Sequence, residues 1–435
     1  MSNLKIVVVG IGSASFGPRT LGDILARPEL SGSELHLVDI RSEALDPMTA
    51  LAHRMNEEWS AGFRVHATTD LVEALPGADF VICMIEANRD RLWQLDMQIP
   101  HKYGVMQVLG ENGGPGGLSH TLRTVPLVLD VAREVEAHAP DAWFLNYTNP
   151  LPRICRGVTK YTSVKTIGFC HGIGSTVRVI GELLDRNPDD FDVRAAGLNH
   201  FHWVMDVRSK DSGEDLYPML RESAASHDPD KQHLWSDLFR TFGWMPFPSD
   251  DHVGEYLPFM HVRAYESWQK YDHDHWLLHW DGTDSRRDTM WAEISERIDG
   301  SRSIDDLRGG SGERAIPVLV ALRDGLATSE LALNIPNDDY ISNLPRDVIV
   351  EVPAVVGSDG PEGHRFGELP SQIAAWCSNQ VHVAELAVDA AVTDERAIAL
   401  QSLLADPVIN DIDTAEKILD EYLSVHSEWL PQFVS

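Results

Sequence analysis

A short apolar run that ends in two spaced glycines is the feature that most constrains this chain. The run KIVVVG covers residues 5–10, and Gly10 and Gly12 stand at the start of the stretch GIGSASFGP. A continuous β-branched run of this length is typical of a strand that is buried on both faces. Glycines directly after such a strand let the backbone approach a pyrophosphate at the N-terminus of the next helix. The start of the chain therefore predicts a dinucleotide-binding turn.

Similar apolar runs recur through the first half of the chain. They predict further strands at residues 34–40, 63–69, 78–85, 142–148 and 164–170. Between them, residues 42–59 and 118–139 repeat apolar side chains at helical spacing. This alternation of strand and helix predicts an α/β fold with a Rossmann-like, doubly wound parallel sheet.

An acidic residue ends the second predicted strand. Asp39 follows Gly12 by 27 residues, which suits a contact with the ribose 2′-hydroxyl of a bound dinucleotide. A carboxylate at this place would repel a 2′-phosphate, so it favours NAD over NADP. Ser13, Ser15 and Phe16 complete the candidate turn, with Ser15 where the usual fingerprint has its third glycine. A plain tight turn is the alternative interpretation.

The second half of the chain has no such alternation. Residues 348–356 predict a strand and residues 369–392 a helix. We therefore expect a dinucleotide-binding domain over residues 1–196 and an α+β domain over residues 197–435, which binds substrate and takes part in oligomerisation.

Composition limits the partners. The net charge of −31 disfavours binding to nucleic acid or to anionic membranes. No apolar run reaches the length of about 18 residues that a membrane span needs. The first residues lack the features of a signal peptide, and the four cysteines are widely separated, as reduced thiols in a cytoplasm would be.

Two segments carry side chains that could bind a metal. Cys170 and His171 end the sixth predicted strand, and His200 and His202 follow thirty residues later. Thiolate and imidazole are good ligands for a divalent transition metal. Neighbouring side chains on a strand point in opposite directions, so a second ligand beside Cys170 has to come from elsewhere. The residues leave two interpretations open: a metal site shared by both segments, or a buried thiol near core histidines.

Eight segments, taken in order, make the chain resemble glycoside hydrolase family 4. They are GIGSASF, DMQIPHKYG, GENGGPGG with LRTVP, NYTNP, GFCHG, GLNHFHW, DDHVGEYLPF and YISNLPRDVIVEVPAVV. The matches extend from residue 5 to the segment LLADP at 403–407, which is nearly the whole chain. The resemblance implies a glycosidase that uses NAD and a divalent metal, usually manganese. It also implies that Cys170 and His200 bind the metal.

The resemblance further implies a mechanism without paired carboxylates. NAD oxidises C3 of the sugar, a base removes the C2 proton, the aglycone is eliminated, and water adds before the hydride returns. Tyr256 matches the family's base. His171 stands where phospho-α-glucosidase members carry aspartate, and it could serve as general acid or bind a substrate hydroxyl. Asn149, Glu111 and Arg263 are candidate substrate-binding residues.

Substrate specificity follows in part from the resemblance. Members that cleave phosphosugars commonly carry arginine three residues before Asp96, where this chain has Trp93. The segments CHG and EYLP are similar to members that cleave unphosphorylated α-glucosides or α-galactosides. An α-glucuronidase or α-galacturonidase is the alternative and would need a cation such as Arg263 or Arg91. A simple NAD-dependent dehydrogenase and an inactive NAD-binding protein are further alternatives.

Overall fold

Twelve strands form one sheet in the computed structural model, which describes residues 3–224, 233–260, 268–283 and 285–433. The strands are β1 (Lys5–Val9), β2 (Glu34–Val38), β3 (Arg64–Thr68), β4 (Phe80–Cys83), β5 (Trp143–Asn146), β6 (Lys165–Gly168), β7 (Phe191–Leu198), β8 (Phe201–Ser209), β9 (Met245–Pro246), β10 (Thr328–Pro336), β11 (Ile349–Gly357) and β12 (Gly360–Gly363).

Helices of very different length connect and cover the strands. Those of the first half are α1 (Gly17–Leu25), α2 (Ser42–Glu58), α3 (Leu71–Ala74), α4 (Arg89–Lys102), α5 (Gly114–His138), α6 (Leu151–Tyr161) and α7 (Gly172–Leu184). Those of the second half are α8 (Tyr217–Ala224), α9 (Leu234–Phe242), α10 (Asp250–Gly254), α11 (Ser285–Asp299), α12 (Ala315–Asp324), α13 (Ser371–Thr393), α14 (Arg396–Ala405) and α15 (Ile412–Val425). In the described ranges, no helix is long and apolar enough to cross a membrane.

The first six strands form the predicted parallel sheet in the order β3-β2-β1-β4-β5-β6. The doubly wound α/β fold is therefore confirmed. Each observed strand ends before the predicted one, so Asn149 lies three residues beyond β5 and Cys170 two residues beyond β6. Both residues consequently belong to the loops at the carboxyl edge of the sheet, where ligands of such folds bind.

The remaining strands continue the same sheet in antiparallel pairing. β10 pairs with β6, and the order then runs β11, β7, β8 and β9. The predicted strand at 348–356 and helix at 369–392 correspond to β11 and α13. The predicted domain boundary at 196/197 falls inside β7, and the division into two functional domains stays a prediction.

The central strand β1 is buried on both faces, as its continuous apolar run predicts. Ile6 and Val8 pack with α1 and α2 in one apolar cluster, whereas Val7 and Val9 pack with α5 and α13 in another. Alternating side chains thus fill two layers of core around one strand.

A buried ion-pair network ties the last helix to the sheet's helical layer. Arg123 on α5 donates two hydrogen bonds to the Asp96 carboxylate on α4, at 2.9 and 2.5 Å. His426 and the Tyr422 hydroxyl add bonds of 3.1 and 2.7 Å to Asp96. Against the effect of burial, the Arg123 charge lowers the pKa of Asp96 to about 2. Asp96 therefore stabilises the fold above its unfolded pKa, near 3.9, and this contribution is lost as pH falls toward 2.

We expect Arg123→Met to lower the free energy of unfolding by about 3–5 kcal/mol, because it leaves the buried Asp96 charge unpaired. Urea denaturation at neutral pH measures the change. Arg133→Met removes an exposed arginine that pairs with Asp130 on the same helix, and should cost less than about 1 kcal/mol. Equal losses in the two variants would contradict this account.

Candidate active site

The turn after β1 has space only for glycine at two positions. Gly10 has φ 86°, and a Cβ there would lie 2.7 Å from the Met84 carbonyl oxygen. A Cβ on Gly12 would lie 2.5 Å from Asp39 Oδ2, to which the Gly12 amide donates a bond of 2.8 Å. The turn therefore packs directly against the ends of β2 and β4, and only its last residues before α1, Ser15 and Phe16, are exposed. The N-terminus of α1, where a pyrophosphate would bind, begins directly after them.

The residues after β2 form the other side of the predicted cofactor site. Asp39 Oδ1 accepts a bond of 3.0 Å from the Arg41 amide, so one oxygen of the carboxylate binds the glycine turn and the other binds the backbone after β2. Ile40 between them is 89% exposed. This apolar side chain is therefore accessible beside Asp39 to an adenine ring of a bound dinucleotide. Ile40 carried no signal in the sequence beyond its place directly after Asp39.

The rest of the predicted cofactor loop lies between β1 and α1. The Ser13 hydroxyl is 3.3 Å from that of Ser15 and accepts a bond of 3.3 Å from the Phe16 amide. Phe16 is 38% exposed at the start of the helix. The two hydroxyls are thus available at the helix N-terminus.

Cys170 and His200 meet although thirty residues separate them. Cys170 Sγ lies 3.5 Å from His200 Nε2. Two such ligands on one divalent ion, at about 2.3 Å for sulfur and about 2.1 Å for nitrogen, are about 3.1–3.6 Å apart for bond angles near 90–110°. The observed separation therefore fits a shared metal ion.

A tight hairpin presents His200. Leu198 of β7 pairs with Phe201 of β8, so Asn199 and His200 form a two-residue loop. His200 has φ 60°, a left-handed conformation that is uncommon for a non-glycine residue. Burial and the neighbouring His252 lower the pKa of His200 to about 3, and burial raises the pKa of the Cys170 thiol well above its usual value. Without a cation, both groups are neutral.

The other histidine of this segment has a structural role. His202 Nδ1 is 2.6 Å from a Glu351 oxygen, and its Nε2 is 2.8 Å from the Thr176 hydroxyl. Both ring nitrogens are therefore occupied, and His200 is the histidine that faces Cys170. His252 lies beside His200, with the centroids of the two rings 4.4 Å apart.

Glu111 lies in a buried charged cluster. It forms an ion pair with Arg89, which also binds Glu86 at 3.1 Å and stacks over Trp93 at 4.5 Å. Against the effect of burial, the Arg89 charge lowers the pKa of Glu111 to about 2. Sequence reasoning found Glu111 but missed Arg89, because nothing local marks two residues 22 positions apart as partners.

His171 turns away from Cys170 and binds a second carboxylate. Its Nδ1 lies 2.9 Å from Glu313, which is buried, whereas the His171 side chain is 58% exposed. The hydrogen bond to Glu313 raises the pKa of His171 above its usual value. Glu313 thus orients the His171 ring through Nδ1. Nε2 has no hydrogen-bond partner among the described residues and could bind a ligand.

Tyr256 is buried below the hairpin. Its hydroxyl donates a bond of 3.1 Å to the Asn199 carbonyl oxygen. Burial and the neighbouring Glu255 raise its pKa well above the usual value. The Glu255 carboxylate accepts bonds of 3.0 Å from the amides of both Glu111 and Asn112, and burial raises its own pKa to about 8.

The remaining predicted residues are placed as follows. Asn149 precedes a cis peptide bond to Pro150, and its side-chain oxygen accepts a bond of 3.2 Å from the Leu151 amide. Arg263 lies outside the described residues. Within the described ranges, one group of three potential metal ligands occurs, and it is a different one: Glu34, His36 and His66 on β2 and β3.

The family assignment follows from comparison with known proteins. The model of the family 4 glycosyl hydrolases matches residues 5–185, and the model of their C-terminal domain matches residues 195–409. This chain belongs to glycosyl hydrolase family 4. It is an enzyme that acts on glycosidic bonds.

Relatives of nearly full length support this assignment. An alpha-glucosidase of Erwinia rhapontici is 34% identical, over 98% of this chain and 98% of its own. An alpha-galactosidase of Bacillus subtilis is 29% identical, over 99% of both chains. Among solved structures, a 6-phospho-alpha-glucosidase from gut microorganisms, in complex with NAD and Mn²⁺, superposes with a TM-score of 0.82. That structure is 22% identical and covers 99% of both chains, which supports the shared fold.

The His171–Glu313 pair yields a prediction. Glu313→Gln keeps the shape and an acceptor oxygen but removes the negative charge, so the pKa of His171 should fall toward 6.5. Titration of the histidine ring signals by NMR measures it. Glu182→Gln, on the exposed side of α7, should leave the His171 pKa unchanged. A His171 pKa that is the same in the wild type and in Glu313→Gln would show that Glu313 does not control this group.

Proposed function

We propose that the enzyme hydrolyses unphosphorylated α-hexosides, either α-glucosides or α-galactosides. Its cofactors would be NAD and a divalent metal, which is Mn²⁺ on family grounds. The observation that carries the proposal is the convergence of Cys170 and His200 at the sheet edge that also holds the glycine turn. A full-length alpha-glucosidase relative at 34% identity supports the substrate class.

The cofactors would occupy two adjoining places. Gly10, Gly12, Ser13, Ser15, Phe16 and Asp39 would hold NAD, and Cys170 and His200 the metal. When bound, NAD supplies a hydride acceptor for C3 and the metal a Lewis acid for the neighbouring sugar oxygens. Four free cysteines suit a cytoplasmic enzyme, and we expect a homo-oligomer.

Tyr256 is the proposed base for the C2 proton. A buried phenol with a raised pKa is a strong base once it is deprotonated, and a positive charge nearby favours that form. Arg153 is a buried cation whose charge acts on Tyr256, opposing the effect of burial on the tyrosine pKa. In the protonated form the hydroxyl donates to the Asn199 carbonyl oxygen, and this proton has to leave before Tyr256 can accept one from C2.

His171 is the proposed acid for the leaving oxygen. Glu313 favours the protonated ring and holds Nδ1, so Nε2–H can donate to the glycosidic oxygen or to a sugar hydroxyl. Asn149 and Glu111 would bind sugar hydroxyls beside it, and Arg263 is kept as a candidate on sequence grounds alone.

The charges near the site favour a neutral sugar. Arg89 is bound to Glu86 and Glu111, and Arg91 donates to Gln94 at 2.8 Å. Trp93 occupies the place at which phosphosugar-cleaving members commonly carry arginine. Arg89 is therefore ion-paired, and a uronate or phosphate that bound to it would have to displace a carboxylate.

A panel of nitrophenyl α-glycosides tests the function. With NAD and Mn²⁺ present, we expect the neutral α-glucoside or α-galactoside to be cleaved fastest, ahead of α-uronides and 6-phosphoglycosides. NADH should not accumulate, since the hydride returns to C3 in every cycle. Preference for a uronide would change the substrate class, and NADH formed in step with turnover would indicate a dehydrogenase.

The proposed base can be tested by isotope exchange. Hydrolysis in heavy water should place deuterium at C2 of the released sugar, because the proton passes through an exchangeable hydroxyl. Tyr256→Phe should abolish turnover and exchange, whereas NAD binding, followed by fluorescence titration, should persist. Product with an unlabelled C2 from the wild type would exclude the oxidation and elimination route.

A further inference from the structure

Three side chains that can bind a metal lie together at the edge of the sheet. Glu34 and His36 are two residues apart on β2, so they project from the same face of the strand. His36 pairs in register with His66 on the edge strand β3. One potential ligand atom from each of the three side chains lies within 4.8 Å of those of the other two. The pairing of the strands therefore brings the three side chains together.

The spacing of these atoms is close to that around a bound ion. His36 Nε2 lies 3.4 Å from a Glu34 carboxylate oxygen, and two ligands of a tetrahedral ion at about 2.1 Å are about 3.4 Å apart. The His36 and His66 rings stack with their centroids 4.6 Å apart, and so lie side by side. The His66 side chain is exposed, and a small rotation would bring its nitrogen nearer without disturbing the core.

Two positive charges lie near this group, and both are held by other acceptors. Arg64 binds one oxygen of Glu34 at 2.9 Å and a backbone carbonyl at 3.0 Å. Lys5 Nζ donates to a different backbone carbonyl at 3.0 Å. The second oxygen of Glu34 is the one beside His36, at a distance near the upper limit for a hydrogen bond. A cation can therefore enter between Glu34 and His36 without displacing Arg64.

We propose that Glu34, His36 and His66 bind a divalent transition metal of the class that prefers imidazole, such as Zn²⁺, and that the ion ties β3 to β2. Two imidazoles and one carboxylate are a ligand set that proteins use for Zn²⁺. Sites with nitrogen ligands bind Zn²⁺ more tightly than Mn²⁺. Among the described strands β3 pairs with β2 alone, so an ion bound across the two strands would stabilise this edge of the sheet.

This site is separate from the Cys170–His200 pair. The strand β6, which precedes Cys170, is four places from β2 in the sheet, or about 19 Å at the usual strand spacing. The inference therefore does not depend on the proposed function, and either site can be removed without the other.

The number of Zn²⁺ ions bound per chain tests the proposal. In equilibrium dialysis of the full chain at micromolar Zn²⁺, His66→Ala should bind one ion fewer than the wild type. His53→Ala removes an exposed histidine on α2 and should bind as many as the wild type. Equal binding by the wild type and a folded His66→Ala would overturn this inference. Equal binding by the wild type and Cys170→Ser would count against the Cys170–His200 pair alone.

Thermal unfolding gives a second readout, for which Cys170→Ser serves as the parent because it lacks the other site. Zn²⁺ should raise the midpoint of unfolding of this parent, since the ion binds the folded chain in preference to the unfolded one. Addition of His36→Ala should abolish the shift, and Mn²⁺ at the same concentration should produce none. A shift that survives the loss of His36, or that Mn²⁺ produces equally, would indicate an adventitious ion only and overturn the proposal.

Discussion

A single buried carboxylate ties strands β10 and β11 to the β7–β8 hairpin that carries His200. Glu351 on β11 accepts hydrogen bonds from Asn199, Asn334 and His202, at 3.0, 2.9 and 2.6 Å. Against the effect of burial, the His202 bond lowers its pKa, so the group is charged and fully occupied. Because Asn199 directly precedes His200, this interaction fixes the hairpin that brings His200 to Cys170. A buried charge that lost these partners would be costly, which makes the arrangement specific.

The local parts of the fold could be predicted from the sequence, and the long-range parts could not. Strands β1 to β6 have continuous apolar runs, so their periodicity is visible without any knowledge of neighbours. The insertion of β10 and β11 between β6 and β7 depends on pairs such as Gly168 with Asn334, which lie far apart in the chain. No local pattern encodes such a pairing.

The same distinction applies to the site. Cys170, His171 and His200 have side chains whose chemistry identifies them as candidates. Because His202 lies two residues after His200, on the same side of a strand, only the family resemblance could say which of the two binds the metal. The hairpin decides it physically, because the left-handed φ of His200 turns its ring out of the strand alternation, toward Cys170. Nothing in the sequence identifies Asn112 or Glu313 as part of the site. Each contacts a histidine that is distant in sequence, and only the folded chain brings the partners together.

The two proposed proton-transfer groups lie in opposite surroundings. His171 is largely exposed, and the neighbouring Glu313 raises its pKa by favouring the charged ring, so it keeps a proton to donate. Tyr256 is buried, and burial raises its pKa by disfavouring the phenolate, so the anion is a strong base once formed. Both shifts are upward, yet one produces an acid near the solvent and the other a base near the core. Elimination is served by this division, because the group that takes the C2 proton must start without a proton and the group that protonates the departing oxygen on C1 must start with one.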